Sequence, residues 1–398
     1  MMSSSFPVVR LKPKANARAI RHGFPWVYDN ELVTDRRTQS LTAGSIAMLE
    51  DSDRREMAIV AVNPASKIFC RVLDRDLSAT IDEAWFAARI NKALQMRERL
   101  YDAPFYRLIH AETDGLPGVI IDRFGDVAVL QANAAWAEML IEPLVAALVA
   151  VTGVSCVIKN GSGRSRSLEG LDDQSVVMVG TAPTEPVPVI MNGATYMADL
   201  TGGQKTGLFF DQRPNQEFTK RLSNGARVLD VFSHVGGFSL AALAGGASHA
   251  LAVDGSAPAL ALASEGALAG GFEDRFATRK GDAFAVMESL ADDGEKFDVV
   301  ICDPPAFAPS KTSLEKGLRA YERVARLAAP LVSEGGYLVL CSCSHAADLT
   351  RFRNSSARGI GRAGRKGQLI HTGFAGPDHP LMPQLAESGY LKALFFRL

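Results

Sequence analysis

The fold is decided by the stretch Arg227-Val-Leu-Asp230-Val-Phe-Ser-His234-Val-Gly236-Gly237-Phe238, which continues to Asp254. It begins with a short apolar run that ends in an acid, a pattern typical of a strand buried between two layers of helices. The glycine pair then opens an Ala/Leu-rich helical segment, and a second apolar run ends at Asp254. The stretch therefore predicts a βαβ unit with an acid about 20 residues past the glycines, where a carboxylate can hold ribose hydroxyls.

The glycine turn indicates a ligand that contains a nucleoside, because glycines let the backbone approach such a ligand at a helix N-terminus. The two common phosphate-binding patterns are absent. Phe232-Ser-His-Val stands where a dinucleotide site has its first glycines, and Gly203-Gln-Lys-Thr206 lacks the spacing of a phosphate-binding loop. An acid at Asp230 suits a ligand with an amino-acid end and no phosphates. S-adenosylmethionine fits this description best.

The composition of the 398 residues is that of a globular protein with two or three domains: 47% are apolar, 22% are charged, and the net charge is −1. This balance excludes a generally basic nucleic-acid binder, so any RNA contact must come from local patches. No apolar run reaches the roughly 18 residues of a membrane span, and the first residues lack a signal-peptide pattern. The five cysteines show no paired framework. We therefore expect a cytoplasmic protein with reduced thiols and no membrane contact.

Residues 1–75 form the first predicted domain, which is β-rich and PUA-like in the resemblance described below. Five basic residues between Arg10 and Arg21 precede the aromatic set Phe24-Pro-Trp26-Val-Tyr28. Basic residues beside aromatics suit a surface that follows phosphates and stacks on bases. Taken one by one, the same residues also fit a second interpretation, in which the basic side chains form a solvated edge and the aromatic side chains belong to the core. Both interpretations stay open.

Residues 76–188 form the second predicted domain. A linker helix over 81–100, with apolar positions at Ala84, Ala88 and Leu94, precedes an α+β domain. This domain should contain a hairpin around residues 123–126, a helix over 138–151 and a flexible basic loop at 161–166. Three prolines between residues 181 and 188 indicate the next boundary.

Residues 189–398 alternate predicted strands and helices, which indicates a mostly parallel, doubly wound sheet. The strand candidates are residues 228–231, 250–253, 277–279, 298–302, 337–341 and 391–396. Polar residues recur at or just past the carboxyl ends of five of these strands, namely Asp230, Asp254, Asp282, Asp303 and Cys343. Because ligands bind at that edge of open α/β sheets, five such positions predict a site there.

Two of these residues carry the candidate chemistry. Asp303 precedes Pro304-Pro305, and prolines directly after a strand end the ladder and stiffen the turn. Its carboxyl group would thus be presented rigidly to a nucleobase edge or for proton transfer. Cys343 lies beyond the apolar run of its strand and is the candidate nucleophile, although a thiol with an ordinary pKa of about 8.5 needs nearby positive charge. A metal site is not expected, since Cys341-Ser-Cys343 lacks partner ligands at the usual spacing.

Several motifs resemble those of a bacterial enzyme family. They are Asp199-Leu-Thr-Gly-Gly-Gln-Lys-Thr-Gly-Leu-Phe-Phe-Asp211-Gln-Arg213, Phe232-Ser-His-Val-Gly-Gly-Phe238, Asp303-Pro-Pro-Ala-Phe307, Ser342-Cys-Ser344, Asp378-His-Pro380, Gly23-Phe-Pro-Trp-Val-Tyr28 and Glu112-Thr-Asp-Gly-Leu-Pro-Gly118. The family comprises the large-subunit (23S) ribosomal RNA cytosine-C5 methyltransferases with an N-terminal PUA domain. The resemblance covers nearly the whole chain. It implies an α/β fold in which a doubly wound, Rossmann-like methyltransferase sheet follows a small β-rich PUA-like domain and an α+β central domain.

The resemblance also implies roles for individual residues. Those bordering the S-adenosylmethionine pocket would be Gln204, Lys205, Thr206, Phe210, Asp211, Arg213, Asp230 and Asp303, with Ser233, Gly236 and Gly237 against the methionine part, Asp254 on the ribose, and Asp282 and Ala283 near the adenine. Cys343 would add to C6 of cytosine, and Asp303 would be its partner on the base. Large-subunit ribosomal RNA would be the partner, and a homodimer is the candidate assembly.

The sequence departs from the family pattern at three places. Ala306 stands where relatives usually carry Lys, Gly255 stands where Ser or Thr is common, and His234-Val235 replaces a usual Tyr-Thr. The base that removes the C5 proton is unassigned, with His345 and Asp303 as candidates. Two other functions stay open: methylation of guanine or another base nitrogen, which needs no thiol, and a non-catalytic RNA-binding assembly factor. The Ser-Cys-Ser motif favours cytosine C5.

Overall fold

The computed structural model of the protein describes residues 6–202 and 207–398, which fold into two compact units. The first contains the described residues of Met1–Thr184, Leu200–Thr206 and Asp378–Ser388, and the second contains Glu185–Asp199, Gly207–Pro377 and Gly389–Leu398. In this described part of the chain, no helix has the length and apolar character that a membrane span requires.

The first unit opens with a small five-stranded sheet, as predicted. Its strands are β1 (Val8–Arg10), β2 (Trp26–Tyr28), β3 (Ile46–Glu50), β4 (Glu56–Val62) and β5 (Ile68–Asp74), and its helices are α1 (Ala17–Arg21) and α2 (Arg36–Gln39). The strand order is β1-β3-β4-β5-β2, with only β1 and β3 parallel. Along β2 the side chains alternate, so that Val27 enters the core while Trp26 and Tyr28 stay half-buried on the other face.

A second sheet of the first unit has the order β10-β9-β8-β7-β6. Its elements are α3 (Glu83–Leu100), β6 (Phe105–His110), β7 (Val119–Phe124), β8 (Val127–Ala132), α4 (Ala135–Met139), α5 (Ile141–Thr152), β9 (Cys156–Lys159), α6 (Arg164–Leu168) and β10 (Val176–Val179). The predicted hairpin is confirmed, because β7 and β8 pair antiparallel from Phe124 opposite Val127. The predicted helix over 138–151 is divided at Leu140 into α4 and α5.

Two expectations for this region are wrong. The helix predicted over 81–100 is confirmed as α3 and Leu94 is buried, but Ala84 and Ala88 are exposed. The helix buries Trp85 and Phe86 instead, and the Phe86 ring stacks on Trp136 at 5.9 Å between centroids. The large aromatic pair determines which face of the helix turns inward, since it removes more apolar area from water than two alanines do.

The second wrong expectation is the flexible basic loop at residues 161–166. From residue 164 onward the chain forms helix α6 instead. Arg166, which is 1% exposed, donates to Glu138 at 2.9 Å and to Asp172 at 3.3 Å. A buried guanidinium needs such carboxylate partners, and these fix the segment.

The second unit contains the predicted doubly wound sheet. Its strands are β11 (Val187–Met191), β12 (Ala194–Ala198), β13 (Arg227–Val231), β14 (His249–Asp254), β15 (Phe276–Lys280), β16 (Phe297–Cys302), β17 (Val332–Ser342), β18 (Gln368–Gly373) and β19 (Lys392–Arg397). Its helices are α7 (Arg213–Arg221), α8 (Gly237–Ala244), α9 (Ala257–Ala269), α10 (Ala283–Asp292), α11 (Leu314–Ala328) and α12 (Leu349–Arg362). Strands β11 and β12 form a separate hairpin.

The seven-stranded sheet has the order β15-β14-β13-β16-β17-β19-β18. Strands β13 to β17 are parallel to one another, whereas β19 pairs antiparallel with both β17 and β18. From β13 the chain builds outward first to β14 and β15 and later to β16 and β17, so the strand order reverses at β13. The fold class is confirmed, and the carboxyl end of β13 is the topological switch point at which ligands bind in such sheets.

Candidate active site

The turn after β13 is strained. Phe232, His234 and Gly236 all have a positive φ, of 66°, 50° and 78°. The first two are among only five non-glycine residues with positive φ in the described parts of the chain. A left-handed conformation costs a bulky residue on the order of 1–3 kcal/mol and persists where the surroundings enforce it, typically at a functional site. The turn thereby delivers the chain to helix α8, which begins at Gly237.

The carboxylate of Asp230 fixes this turn through hydrogen bonds to Ser239 in helix α8. Its Oδ2 accepts hydrogen bonds from the backbone N–H and the hydroxyl of Ser239, at 2.8 and 2.7 Å. Burial raises the pKa of Asp230 to about 6, although the bonds from Ser239 act in the opposite direction. Its other oxygen, Oδ1, is buried without a hydrogen-bond partner, as is the hydroxyl of Ser233. Buried polar atoms that lack partners call for a ligand or water.

Asp254 ends β14 with its carboxylate fixed by two backbone donors. Oδ2 accepts from the N–H of His234 at 2.9 Å, and Oδ1 accepts from the N–H of Ser256 at 2.8 Å. The first bond ties the acid to the strained turn. Each carboxylate oxygen has a second lone-pair direction, so the half-buried group can still accept ribose hydroxyls.

Asp282 and Ala283 follow β15 at the same edge of the sheet. Asp282 caps helix α10 by accepting from the N–H of Ala285 at 3.0 Å, and Ala283 is buried behind it. Phe284, next in the chain, lies edge-on to Phe232 with 6.3 Å between ring centroids. These rings give the edge an apolar wall beside two carboxylates, which suits a purine attached to a ribose.

These features fit S-adenosylmethionine. The partnerless Oδ1 of Asp230 and hydroxyl of Ser233 suit the charged amino-acid end, Asp254 suits the ribose, and the Phe232–Phe284 wall suits the base. A side chain at Gly237 would lie 2.8 Å from the amide nitrogen of Gln216, so that amide would have to shift to admit one.

Asp303 follows β16 and is oriented by a residue that sequence reasoning missed. Nε2 of Gln212 donates to Oδ2 of Asp303 at 2.9 Å, while Oε1 of Gln212 accepts from Nδ2 of Asn215 at 2.7 Å. The two neighbours thus fix the direction of the Gln212 amide. The only sequence signal for this role was the position of Gln212 within the Asp-Gln-Arg motif.

The Ser342-Cys343-Ser344 segment is held by its two serines, which are both fully buried, whereas Cys343 is half-buried. The hydroxyl of Ser344 accepts from the N–H of Ala308 at 2.9 Å and lies 2.7 Å from the hydroxyl of Tyr321. Ala308 belongs to the loop that starts at Asp303, so this hydrogen bond joins the loops that carry the two candidate catalytic residues. Strands β16 and β17 also pair directly, with Cys302 opposite Leu340.

The other cysteines lie in different environments. Burial raises the pKa of Cys341 well above its ordinary value, and the charge of Asp303 raises it further. Burial also raises the pKa of Cys70 and of Cys302, which follows from their position inside the two sheets. Burial raises the pKa of Cys156 too. A thiol of high pKa is a poor nucleophile at neutral pH, which leaves Cys343 as the candidate nucleophile.

The remaining predicted residues are placed as follows. Gln204, Lys205 and Thr206 lie outside the described residues. Phe210 and Asp211 are buried in a short 3₁₀ turn just before α7. The carboxylate of Asp211 accepts a hydrogen bond from the hydroxyl of Tyr390 at 2.7 Å. The guanidinium of Arg213 lies 5.6 Å from the ring centroid of Phe210. The bond from Gln212 to Asp303 places this turn at the carboxyl edge of the sheet.

The basic residues of the N-terminal sheet are partly occupied by ion pairs. Arg10 pairs with Glu50 at 2.8 Å, and Arg21 pairs with Asp51. The aromatic set is more distinctive, since the rings of Phe24, Trp26 and Tyr28 lie within 6.4–6.5 Å of one another and all three side chains are half-buried. Across residues 6–202 and 207–398, no group of three or more His, Cys, Asp or Glu residues is arranged to hold a metal ion.

Comparison with known proteins agrees with this architecture. Residues 154–397 match the family model of S-adenosylmethionine-dependent methyltransferases, and residues 9–75 match that of PUA-like domains. Proteins named ribosomal RNA large subunit methyltransferase I are similar to the chain. That of Erwinia tasmaniensis is 33% identical over 97% of this chain and 98% of its own, and that of Aeromonas salmonicida is 33% identical over 96% and 98%.

A solved structure described as a SAM-dependent methyltransferase from Streptococcus mutans has the same fold, with a TM-score of 0.82 over 98% of this chain and all of that one at 19% identity. A second methyltransferase structure, complexed with SAH, has a TM-score of 0.83 at 19% identity, with the same coverage. These two likenesses show the fold, and the matching family model shows that the cofactor is S-adenosylmethionine. The chain belongs to the S-adenosylmethionine-dependent methyltransferases with a PUA-like domain and, among these, to the family of the ribosomal RNA large subunit methyltransferase I proteins.

Proposed function

We propose that the protein methylates C5 of a cytosine in large-subunit (23S) ribosomal RNA, with Cys343 as the nucleophile and Asp303 as its partner on the base. The relatives' name supports the RNA substrate. The observation that carries the reaction is the half-buried Cys343 at the carboxyl edge of the sheet, on a loop that the Ser344–Ala308 hydrogen bond joins to the loop of Asp303. Three other expectations stay predictions: the cytoplasmic location, the homodimer, and the domain boundaries after residues 75 and 188.

The chemistry explains why this pair is needed. C5 of cytosine is a weak nucleophile, and S-adenosylmethionine supplies an electrophilic methyl group when bound. Attack of the Cys343 thiolate on C6 forms a carbon–sulfur bond and places electron density on C5, which can then accept the methyl group. Asp303, protonated or sharing a proton with N3, stabilises the negative charge of the adduct. A base then takes the C5 proton, and the electrons of that C–H bond re-form the ring double bond while the carbon–sulfur bond breaks and releases the Cys343 thiolate. The cofactor would leave as S-adenosylhomocysteine.

Methyl transfer to RNA tests the substrate and the methylated atom together. Incubating the enzyme with labelled S-adenosylmethionine and total ribosomal RNA from cells that lack the enzyme should place label in large-subunit RNA. After digestion to nucleosides, the label should migrate as 5-methylcytidine. Label in a methylated guanosine would refute the cytosine assignment, and absence of transfer to free RNA and to ribosomal particles would favour the assembly-factor alternative.

Asp254 should bind the cofactor ribose. Hydrogen bonds to a charged group contribute about 1.5–3 kcal/mol each, so Asp254→Ala should weaken S-adenosylmethionine binding at least about tenfold in calorimetry. Asp298→Ala is a matched control, because Asp298 also accepts a backbone N–H, that of Arg227 at 2.8 Å, but at the opposite edge of the sheet. Unchanged cofactor affinity in a folded Asp254→Ala protein would refute the ribose assignment.

A further inference from the structure

A buried lysine lies beside the candidate nucleophile. Lys392 is the first residue of β19 and is 5% exposed. Across the sheet it pairs with Ser342, and its ammonium group donates to the backbone carbonyl of Ser344 at 2.7 Å. The strand pairing involves the residue before Cys343 and the hydrogen bond involves the residue after it, so Lys392 is anchored to the segment that carries the thiol.

Burial of a lysine is costly unless its charge is compensated. Burial lowers the pKa of Lys392 to about 8, while the negative charges of the Cys343 thiolate and of Asp348 act to raise it. The side chain is therefore mainly cationic at pH 7. Asp348 cannot be its main counter-ion, because that residue is exposed, caps helix α12 and pairs with Arg351 at 3.5 Å.

Three other titratable groups within residues 6–202 and 207–398 lie near this point. Tyr321, from α11, hydrogen-bonds the hydroxyl of Ser344, and burial raises its pKa. Asp303, from the loop after β16, is an acid, and His345 is exposed. Lys392 is the buried cation of this set of described residues, and its bond to the Ser344 carbonyl holds its ammonium group one residue away from Cys343.

We propose that Lys392 is a positioning residue that acts through Cys343, holding its sulfur as the thiolate at neutral pH. The proposal rests on Cys343 being the nucleophile. A free thiol is only a few per cent ionised at pH 7, and a neighbouring ammonium group favours the charged form. The arrangement supplies the positive charge that the nucleophile needs, from a strand that follows it in the chain by almost 50 residues.

The rate of alkylation of Cys343 by iodoacetamide, followed by peptide mass spectrometry from pH 6 to pH 10, tests this directly. Lys392→Met keeps the length of the side chain and removes its charge. Its alkylation at pH 7 should be about tenfold slower than in the native protein, since one unit of thiol pKa changes the thiolate fraction tenfold. The two rates should converge near pH 10, where both thiols are ionised. Lys392→Arg should retain the native profile within about threefold.

Lys296→Met is the matched control, because Lys296 donates to a backbone carbonyl, that of Pro330, at the opposite edge of the same sheet. It should leave the profile unchanged. A Lys392→Met profile that matches the native one, or a deficit of constant size at every pH, would overturn the proposal, because a purely structural role does not depend on thiol ionisation.

A reciprocal measurement avoids any loss of folding in the lysine variant. If the two charges interact, Cys343→Ser should lower the pKa of Lys392, as followed by side-chain NMR, because linkage is symmetric. An unchanged Lys392 pKa would contradict the proposal. Methyl transfer separates its failure from that of the proposed function: an active Cys343→Ser enzyme rejects the nucleophile itself, whereas an inactive one with unaltered Lys392 behaviour rejects only the role of the lysine.

Discussion

Replacement of Cys343 by serine is expected to abolish methyl transfer, with a fall in kcat of at least about a thousandfold. Serine preserves the shape of the side chain but carries a hydroxyl of far higher pKa, so addition to C6 of cytosine should fail. Affinity for S-adenosylmethionine should survive, because the proposed cofactor contacts lie on the turn after β13 and at Asp254. Single-turnover transfer and calorimetry on the same protein measure the two quantities separately.

Cys341→Ser is the control for this substitution, because Cys341 lies two residues earlier, inside strand β17. Cys341 is 1% exposed, and its pKa is raised by burial and by Asp303, so it is unsuited to nucleophilic attack. Its replacement should leave kcat within about twofold and cost roughly 1 kcal/mol of stability through altered packing. Near-normal activity of Cys343→Ser would instead favour methylation of a base nitrogen, which needs no thiol.

Replacement of Asp303 by asparagine is expected to lower kcat by about a hundredfold or more at saturating cofactor, the range typical of a lost proton donor. Asparagine can still accept from Gln212 but cannot give a proton to N3, so the adduct loses its stabilisation. Asp298→Asn should retain activity, because Asp298 lies on β16 at the opposite edge of the sheet from Asp303.

Gln212→Leu should have a smaller effect than Asp303→Asn. It removes the 2.9 Å hydrogen bond that orients the acid but leaves the acid itself. Adduct formation with RNA should slow in parallel with methylation in both proteins. If Asp303→Asn and the native enzyme had equal activity in single-turnover transfer, Asp303 would have no role in the reaction.

The sequence predicted the second unit well because strands that are buried on both faces leave continuous apolar runs, and the acids at their ends interrupt these runs visibly. Strand β18 was missed, since Gln368 to Ile370 are exposed and show no alternation. The last strand was found, but its antiparallel direction was not, because direction depends on pairing with β17 rather than on local pattern.

The candidate site was predictable only in part. Asp254 and Asp303 follow apolar runs directly, so their place at the edge of the sheet could be inferred. Gln212 contacts Asp303, which is 91 positions away in the chain, and Lys392 contacts Ser344, which is 48 positions away. No local sequence pattern indicates contacts between such distant residues. Arg166 was assigned to a loop for the same reason, since its partner Glu138 lies 28 residues earlier.

Covalent trapping tests the central claim most directly. RNA that carries 5-fluorocytosine cannot lose its C5 substituent as a proton, so the methylated adduct should remain bound to the enzyme. In the presence of S-adenosylmethionine we expect a stable protein–RNA complex whose cross-linked peptide contains Cys343. Cross-linking mapped to Cys341, or no covalent complex under conditions in which ordinary RNA is methylated, would contradict the mechanism.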